Sequence, residues 1–380
     1  MVTHSSISRI KVSAFRVPIS TPVMTSFGAM TNRPAVFVRL TDSDGAFGWG
    51  EIFANWPAAG AEHRARLLME DIGDLVMGFH AGSASDLFQH LTARTHIRAL
   101  QCGEWGPFAQ VIAGLDTAMH DLFARRAGIP LARHLNPEAA SSVPAYASGI
   151  HIAAAATVVP QVREQGYQAK KVKIGFDAAL DLAQLAALCA DRRGGERIFT
   201  DANQAWDLGQ ALAFVDAARE FDLGWLEEPI RADMPADQWS ELARVSSIPL
   251  AAGENITGFE NFDTAIGSGN FGFLQPDVAK WGGVTGCHRV GKAIVAGGRT
   301  YCPHFLGGGI GLLASAHLLA ATGGKGLLEV DINANPLRDA FFENGMCREG
   351  RFGIPDLPGL GFEELPESLA QYRTLELSRG

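Results

Sequence analysis

The chain has 380 residues, a formal net charge of −9 and 47% hydrophobic residues. This length predicts two domains, or one large domain with an elaboration, and the composition excludes a disordered chain. The negative net charge gives no indication of the basic surface that binds nucleic acid. The five cysteines are odd in number and widely spaced, without a CxxC pair. We therefore expect neither a disulfide framework nor a structural zinc site, and we expect a cytoplasmic protein.

The N-terminal part predicts an α+β domain, assigned to residues 1–135. Apolar, β-branched segments predict strands at 8–18, 34–41 and 46–53, and helical spacing predicts helices at 61–79, 85–97 and 107–126. The segment 18–34 is expected to be a long loop, which is typical of lids and binding loops. The first residues lack the apolar stretch of a signal peptide. The uncharged segment 305–324 holds six glycines and predicts a buried helix instead of a membrane span.

From about residue 143 the pattern changes to short apolar segments that alternate with Ala/Leu-rich helical stretches. This alternation predicts a parallel α/β sheet, and eight repeats over roughly 200 residues suit a TIM-type barrel, assigned to 136–350. We expect the Pro/Gly-rich tail, 351–380, to return to the first domain. The predicted strands lie at 143–149, 169–175, 197–203, 223–229, 249–255, 272–278, 299–305 and 326–331.

Ionisable residues stand at the ends of these predicted strands. In a βα barrel the chemistry lies at the carboxyl ends of the strands, so these groups converge on one axis. From Lys173 onward, successive strands contribute one such group at steps of 23 to 28 residues, about one βα unit. The residues are Lys171 and Lys173, Asp201 and Asn203, Glu227, Glu254, Asp277, His304 and Glu329.

Three carboxylates, Asp201, Glu227 and Glu254, come from adjacent predicted strands. Grouped carboxylates repel each other unless a cation neutralises them, and an all-oxygen ligand set suits Mg²⁺. The alternative for any one of them is a salt bridge to a neighbouring Lys or Arg. Glu228 follows Glu227 on the other strand face, so one of this pair is expected to point away.

Lys171 and Lys173 share a strand face, whereas Lys170 points away. Beside a divalent cation, the two lysines would lower each other's pKa, which makes Lys173 a candidate base. The alternative is a solvated strand edge. Asp277 and His304 form a candidate dyad in which the carboxylate orients the imidazole, the alternative being a hydrogen-bonded core histidine. A cation flanked by two bases suits abstraction of the proton α to a carboxylate.

In their order along the chain, these segments resemble the enolase superfamily, and specifically its mandelate racemase subgroup. The resemblance covers nearly the whole chain. It implies a capping domain built from both termini over a modified (β/α)₇β barrel. The matching segments are the K-x-K of Lys171 and Lys173, Asp201 in TDANQ, Glu227 in WLEEP, Glu254 in GEN, Asp277 in QPDVAKWGGVTG, His304 in CPHF, GWGE at 48–51, and Glu329.

The resemblance also implies roles. It implies Mg²⁺ on Asp201, Glu227 and Glu254, Lys173 as one base, and the His304–Asp277 dyad as the other. Lys171 and Glu329 would contact the substrate carboxylate, and Lys171 would tune Lys173. Muconate-lactonising and dipeptide-epimerase relatives have a Lys base where Asp277 stands here. Lys280, three residues on, is expected to be structural, although the register at this strand stays open.

In that subgroup, dehydration of a sugar acid to a 2-keto-3-deoxy acid is the first expectation, and racemisation or epimerisation of an α-substituted acid is the alternative. The partner is a small-molecule carboxylate, with no nucleic acid or membrane, and we expect a homo-oligomer. Asn203, Phe27 and Trp56 are expected to contact the substrate. The distal part of the site would come from the 18–34 loop and the loop after Glu51, whose apolar side chains are Met24, Phe27, Met30, Phe53 and Trp56.

Two other classes of protein compete with this interpretation. The segment Gly309–Ile–Gly311–Leu–Leu–Ala314 fits a GxGxxA dinucleotide motif, but a lone match late in the chain is weak. Under the resemblance it is the loop after the seventh strand, able to cradle a substrate anion at a helix N-terminus. A non-catalytic binding protein on the same fold is the second competitor, and the intact acid/base pairs argue against it. The absence of GxSxG argues against an esterase.

Overall fold

The computed structural model describes residues 5–26, 28–342 and 345–380. The first domain is built on an antiparallel sheet in which β1 lies between β2 and a strand from the C-terminus. The strands are β1 (Ser5–Thr25), β2 (Gly28–Asp42), β3 (Phe47–Ile52) and β4 (His80–Ala81). The helices are α1 (Gly60–Leu67), α2 (Gly73–Val76), α3 (Asp86–Cys102), α4 (Trp105–Ala127) and α5 (Leu131–Leu135), with a π-helical turn at Leu68–Ile72 that interrupts the predicted helix 61–79.

The segment predicted as a loop, 18–34, is mostly paired strand. The β1–β2 ladder runs through Pro18↔Asn32, shifts register, and continues from Val23↔Met30 to Thr25↔Gly28. The prolines at 18 and 22 made the sequence resemble a loop, because proline cannot donate within a sheet. Here they are tolerated, since the C-terminal strand covers β1 only from Ile10 to Phe15. The result is a long hairpin that projects beyond the sheet.

In the first domain, close contact between β3 and α4 fixes how this helix packs on the sheet. A Cβ atom on Gly50 would lie 1.9 Å from the carbonyl oxygen of Gly114, and one on Gly48 would lie 2.1 Å from that of Ala118. Only glycine permits this approach of strand to helix backbone. The apolar face of α4, including Val111, Leu115, and Met119, is buried against the sheet.

The second domain is an α/β barrel of eight parallel strands, as predicted. The hydrogen-bonded order is β11–β10–β9–β8–β7–β6–β5–β12. Its two end strands approach through Leu327 N, 3.4 Å from Cys302 Sγ, and Phe305 N, 3.3 Å from Glu329 Oε2. The strands are β5 (Ser142–His151), β6 (Ala169–Lys173), β7 (Arg197–Asp201), β8 (Leu226–Glu227), β9 (Leu250–Ala252), β10 (Phe273–Leu274), β11 (Thr300–Tyr301) and β12 (Leu328–Asp331).

Helices connect these strands and cover the barrel. Within the described ranges no helix is long and apolar enough to cross a membrane, and the uncharged segment at 305–324 forms a buried helix. The helices are α6 (Ala155–Glu164), α7 (Ala178–Ala190), α8 (Leu208–Ala217), α9 (Ala236–Val245), α10 (Phe259–Ser268), α11 (Gly283–Ala296), α12 (Gly309–Thr322) and α13 (Pro336–Asp339), with short 3₁₀ turns at Ile152–Ala154, Arg219–Phe221 and Glu367–Tyr372.

The C-terminal segment contacts both domains. After β13 (Cys347–Arg348), β14 (Arg351–Gly353) pairs antiparallel with β5 of the barrel. The last strand, β15 (Arg373–Arg379), then pairs antiparallel with β1. The segment therefore starts against the barrel and ends in the sheet of the first domain. The division of the chain at residues 135 and 350 stays a prediction.

Candidate active site

A cavity of about 480 Å³ lies between the carboxyl ends of the barrel strands and the first domain. Most of the residues singled out in the sequence line it, whereas Glu227 and Asp277 are buried directly behind its wall. Phe27 lies outside the described residues. The predicted residues that line the cavity are Lys171, Lys173, Asp201, Asn203, Glu254, His304 and Glu329 from the barrel, and Met30, Phe53 and Trp56 from the first domain.

The two lysines of β6 face the cavity, as alternation along a strand requires, and Lys170 faces Glu196 on the other side at 2.8 Å. Lys171 Nζ lies 2.6 Å from Glu227 Oε1, 2.9 Å from Glu329 Oε1 and 3.7 Å from Asp201 Oδ2. Burial lowers the pKa of Lys171, but Glu227 and Glu329 outweigh it and hold this pKa well above its usual range. The lowering of the Lys171 pKa expected beside a divalent cation stays a prediction, because the raised pKa reflects the protein's own side chains alone.

Lys173 is the last residue of the same strand. Its Nζ lies 3.5 Å from Asp201 Oδ2 and donates a hydrogen bond to Asn203 Oδ1. Asn203 also donates to Asp201, from its backbone N at 2.8 Å and from Nδ2 at 3.1 Å. Asn203 thus links the lysine to the carboxylate that ends β7.

His304 and Asp277 are brought together at the ends of β11 and β10. His304 Nδ1 is 2.7 Å from Asp277 Oδ2, and its Nε2 is 2.5 Å from Glu254 Oε2. Asp277 Oδ1 accepts from the backbone N of Ala279 at 2.8 Å, which fixes the carboxylate. Burial lowers the pKa of His304, but Glu254, Glu329 and Asp277 outweigh it and raise this pKa well above its usual range. These carboxylates therefore favour the protonated form of the imidazole.

Glu227 ends β8 and pairs in register with Asp201 on β7. Its Oε2 accepts from Gln275 Nε2 at 2.7 Å and from Trp225 Nε1 at 3.1 Å. Burial raises the pKa of Glu227 to about 7, helped by Asp201 and opposed by Lys171. Neutral donors and one lysine therefore hold this carboxylate behind the cavity wall.

The sequence analysis missed Gln275. Its side chain is buried, and its amide is one of the donors that hold Glu227. The available signal was its position two residues before Asp277 in the predicted strand 272–278, because residues two apart share a strand face. A polar residue on the face that carries Asp277 could therefore have been assigned to the site.

Glu228 does not point away from the site, contrary to expectation. β8 ends at Glu227 and Glu228 has φ 37°, so that strand alternation no longer applies. Its buried carboxylate accepts from Asn255 Nδ2 at 2.8 and 3.1 Å. Burial, and then the negative charge of Glu254, raise the pKa of Glu228 well above its usual range. Glu228 therefore belongs to the carboxylate cluster.

Lys280, whose part in the site was left open, lines the cavity. Its Nζ lies 2.9 Å from Asn255 Oδ1 and 3.8 Å from Glu254 Oε1. The ammonium is also 5.2 Å from the centre of the Phe53 ring. Lys280 therefore balances part of the charge of Glu254.

The donor set at these strand ends fits a hard divalent cation. Asp201, Glu227 and Glu254 are oxygen ligands from adjacent strands, and carboxylates outnumber lysines around them. Across residues 5–26, 28–342 and 345–380, no three His, Cys, Asp or Glu side chains are grouped so as to hold a metal ion as they stand. All three carboxylates instead lie beside cationic side chains. Lys171 contacts Glu227, His304 contacts Glu254, and Lys173 lies 3.5 Å from Asp201.

The glycine-rich start of α12 has a partner of its own. Glu51, at the end of β3, accepts hydrogen bonds from Gly308 N at 2.5 Å and Gly311 N at 2.8 Å. This carboxylate already occupies the helix N-terminus, so the expectation that the segment cradles a substrate anion is wrong. Glu51 instead joins the first domain to the loop that follows His304.

Two family models match the chain. "Mandelate racemase / muconate lactonizing enzyme, N-terminal domain" matches residues 8–135, and "Enolase C-terminal domain-like" matches residues 151–368. The fold and the matches define an enzyme of the enolase superfamily, in which a capping domain covers an α/β barrel. The chain belongs to the mandelate racemase / muconate lactonizing enzyme family.

Solved and characterised relatives are similar over nearly their full length. A mandelate racemase/muconate lactonizing enzyme from Bordetella bronchiseptica RB50 is 44% identical, with a TM-score of 0.90, covering 97% of this chain and 100% of that one. A racemase from Streptomyces coelicolor A3(2), solved with bound magnesium, is 26% identical, with a TM-score of 0.86 and coverage of 97% and 100%. The L-talarate/galactarate dehydratase of Salmonella typhimurium is 29% identical over 95% of this chain and 89% of the relative. Other relatives include cycloisomerases, a further sugar-acid dehydratase and a dipeptide epimerase.

Proposed function

We propose that this enzyme abstracts the proton α to a substrate carboxylate in a Mg²⁺-dependent reaction. The observation that carries the proposal is one cavity lined by both Lys173 and His304, with buried carboxylates between them in the strand order. Such a proton is weakly acidic, so its removal needs a positioned base and positive charge near the carboxylate.

Asp201, Glu227 and Glu254 would hold the metal ion. When bound, Mg²⁺ would supply positive charge that makes the α-proton more acidic. The same charge would compete with Lys171 for Glu227 and with His304 for Glu254. The magnesium-bound racemase among the solved relatives supports this choice of cation.

The protein's own residues then have distinct tasks. Lys173, as the neutral amine, takes the proton on one side of the substrate and becomes an ammonium, while Asn203 Oδ1, which accepts a hydrogen bond from Nζ, orients it. His304, held by Asp277, works from the other side and donates a proton while it is protonated. Lys171 and Glu329, which contact each other at 2.9 Å, position the substrate carboxylate.

Dehydration of a sugar acid to a 2-keto-3-deoxy acid is the outcome that we favour. His304 lines the cavity with its Nδ1 held by Asp277, and the carboxylates around it favour the imidazolium form, which suits donation of a proton to a departing β-hydroxyl. The L-talarate/galactarate and arabinonate dehydratases among the relatives support this class. The alternative is epimerisation at the α-carbon, which the apolar side chains of Met30, Phe53 and Trp56 favour, because they suit a less polar acid.

A screen of sugar acids separates the two outcomes. We would incubate the enzyme and Mg²⁺ with a panel of aldonic and aldaric acids, detect keto acids with semicarbazide, and follow deuterium exchange at C2 by NMR in parallel. Dehydration predicts keto-acid formation that disappears in His304→Asn. Exchange without keto acid across the panel would reject dehydration and leave epimerisation.

A further inference from the structure

We propose that the substrate carries a single carboxylate and that its far end is uncharged. This inference rests on the proposed function, since it concerns the part of the same substrate that extends away from the reacting carbon. It separates this enzyme from those that act on diacids. The argument comes from the side chains of the distal wall, which is the part of the cavity formed by the β1–β2 hairpin and the loop after β3.

The distal wall combines apolar and neutral polar groups. Val23, Met30, Phe53, Trp56 and Leu306 line it as apolar surface. A second carboxylate placed there would lose its hydration without gaining an ionic partner, which is strongly unfavourable. An uncharged chain loses far less hydration free energy, and its carbon atoms also make favourable contact with the apolar surface.

The neutral polar groups suit hydroxyls. Asn55 donates through Nδ2 to the Leu306 carbonyl at 2.7 Å, and Gln110 accepts through Oε1 from Arg64 Nε at 2.9 Å. Both residues line the cavity, and among the described residues neither Asn55 Oδ1, an acceptor, nor Gln110 Nε2, a donor, has a hydrogen-bond partner of its own. A hydroxyl both donates and accepts, so it matches this pair better than a carboxylate, which only accepts.

The lysines of the cavity have partners at the reaction end, although the Lys280 ammonium also lies 5.2 Å from the centre of the Phe53 ring on the distal wall. Among the lining side chains that the structure describes, the lysines are Lys171, Lys173 and Lys280, and there is no arginine. Lys171 and Lys173 contact Glu227 and Asp201, and Lys280 contacts Asn255 and lies 3.8 Å from Glu254. Recruiting Lys280 to a distal carboxylate would take it from Asn255 and Glu254.

The nearby arginines are likewise engaged behind the wall. Arg33 Nη2 lies 2.7 Å from Asp331 Oδ2, and Arg338 Nη1 lies 3.5 Å from the same oxygen. Arg64 Nη2 donates to the carbonyl of Trp56 at 3.1 Å. The wall thus disfavours a diacid by lack of an ionic partner.

Matched pairs of acids test this inference. Each six-carbon aldonic acid is compared with the aldaric acid of the same configuration at C2–C5 in the presence of Mg²⁺. The readout is kcat/KM for keto-acid formation or, where no keto acid forms, for C2 exchange. The expected result is a kcat/KM at least about tenfold higher for the monoacid of the preferred pair. An equal or higher kcat/KM for the diacid would overturn the inference while leaving the proposed reaction intact.

If no acid reacts, measurements of binding affinity still test the inference. The dissociation constants of the same pairs are then measured by calorimetry with Mg²⁺. Tighter binding of the monoacid would support the inference although the proposed reaction had failed. Equal binding, tighter binding of the diacid, or no binding by any acid would overturn it.

A cation introduced on the distal wall should reverse the preference. Val23→Lys places an ammonium group on the hairpin, and Val23→Met is the matched neutral control. We expect Val23→Lys to raise the diacid-to-monoacid ratio of kcat/KM at least about fivefold and Val23→Met to leave it unchanged, with melting curves confirming that both are folded. The same ratio in both variants would contradict the assignment of this wall to the distal end.

Discussion

The two ends of the cavity come from different parts of the chain and differ in chemistry. At the reaction end, residues from successive barrel strands, such as Lys173, Asp201 and His304, form a dense network of charges. At the distal end, the hairpin of the first domain and the loop after β3 contribute apolar side chains and amides. The barrel therefore carries the chemistry of the reaction, and the capping domain carries the selection of the substrate.

The two ends are also held by different forces. Backbone pairing places the charged residues, because Asp201 and Glu227 are in register on neighbouring parallel strands. Buried side-chain contacts attach the capping domain, among them Arg33 to Asp331 and Glu51 to the start of α12. This difference predicts that substitutions at the reaction end abolish catalysis, whereas substitutions at these contacts change stability.

The largest effect is expected from the metal site. Removal of Mg²⁺ by EDTA, or Glu254→Gln, should lower kcat/KM by at least about 1,000-fold, because several kcal/mol of transition-state stabilisation are lost. Mg²⁺ should restore the wild type only. Calorimetry provides a readout independent of turnover, since Glu254→Gln should weaken Mg²⁺ binding. Full turnover by the chelated protein would refute the metal assignment.

A smaller effect, on stability, is expected where the hairpin meets the barrel. Arg33→Met removes a cation from a buried ion pair with Asp331. Loss of the sole partner of a buried charge costs roughly 3–5 kcal/mol in free energy of unfolding, and we expect the lower end of this range because Arg338 stays 3.5 Å from the same carboxylate. Denaturant unfolding measures the cost. The control is Arg231→Met, which breaks the exposed pair of Arg231 with Asp233 at 2.8 Å and should leave stability unchanged. Equal effects in the two variants would contradict a special role for the Arg33 contact.

The second contact predicts a pH dependence. Burial raises the pKa of Glu51 from 4.5 to about 7, so the folded state favours the protonated carboxyl. This contribution is complete below pH 4.5 and is lost as the pH rises through 7. The stability of the wild type relative to Glu51→Gln should therefore fall by at most about 3 kcal/mol between pH 5 and 8. A difference that stays constant or grows with pH would show that the buried carboxyl is ionised throughout.

The contrast between the barrel and the hairpin also explains which features could be predicted from the sequence. The strand-end residues recur at steps of one βα unit, and parallel pairing converts this spacing into proximity, so the barrel and the grouping of Lys171, Asp201 and Glu227 could be predicted. The prolines at 18 and 22 concealed the hairpin, because their tolerance depends on which strands flank β1.

Details within the site depend on contacts distant in sequence. The raised pKa of Lys171 comes from Glu227 and Glu329, which lie on other strands. The direction of Glu228 follows from a positive φ just after a two-residue strand. The occupation of the α12 N-terminus by Glu51 joins residues 257 positions apart. Neither periodicity nor local motifs carry such information.

The central claim is that Lys173 and His304 act on the α-carbon of one substrate, and solvent deuterium exchange at C2 tests it most directly. NMR would follow the wild type, Lys173→Ala and His304→Asn on the preferred acid in D₂O with Mg²⁺. We predict rapid exchange or turnover in the wild type and a loss of roughly 10²–10⁴-fold in at least the variant that lacks the proton-abstracting base. Deuterium uptake at wild-type rates in both variants would contradict the account.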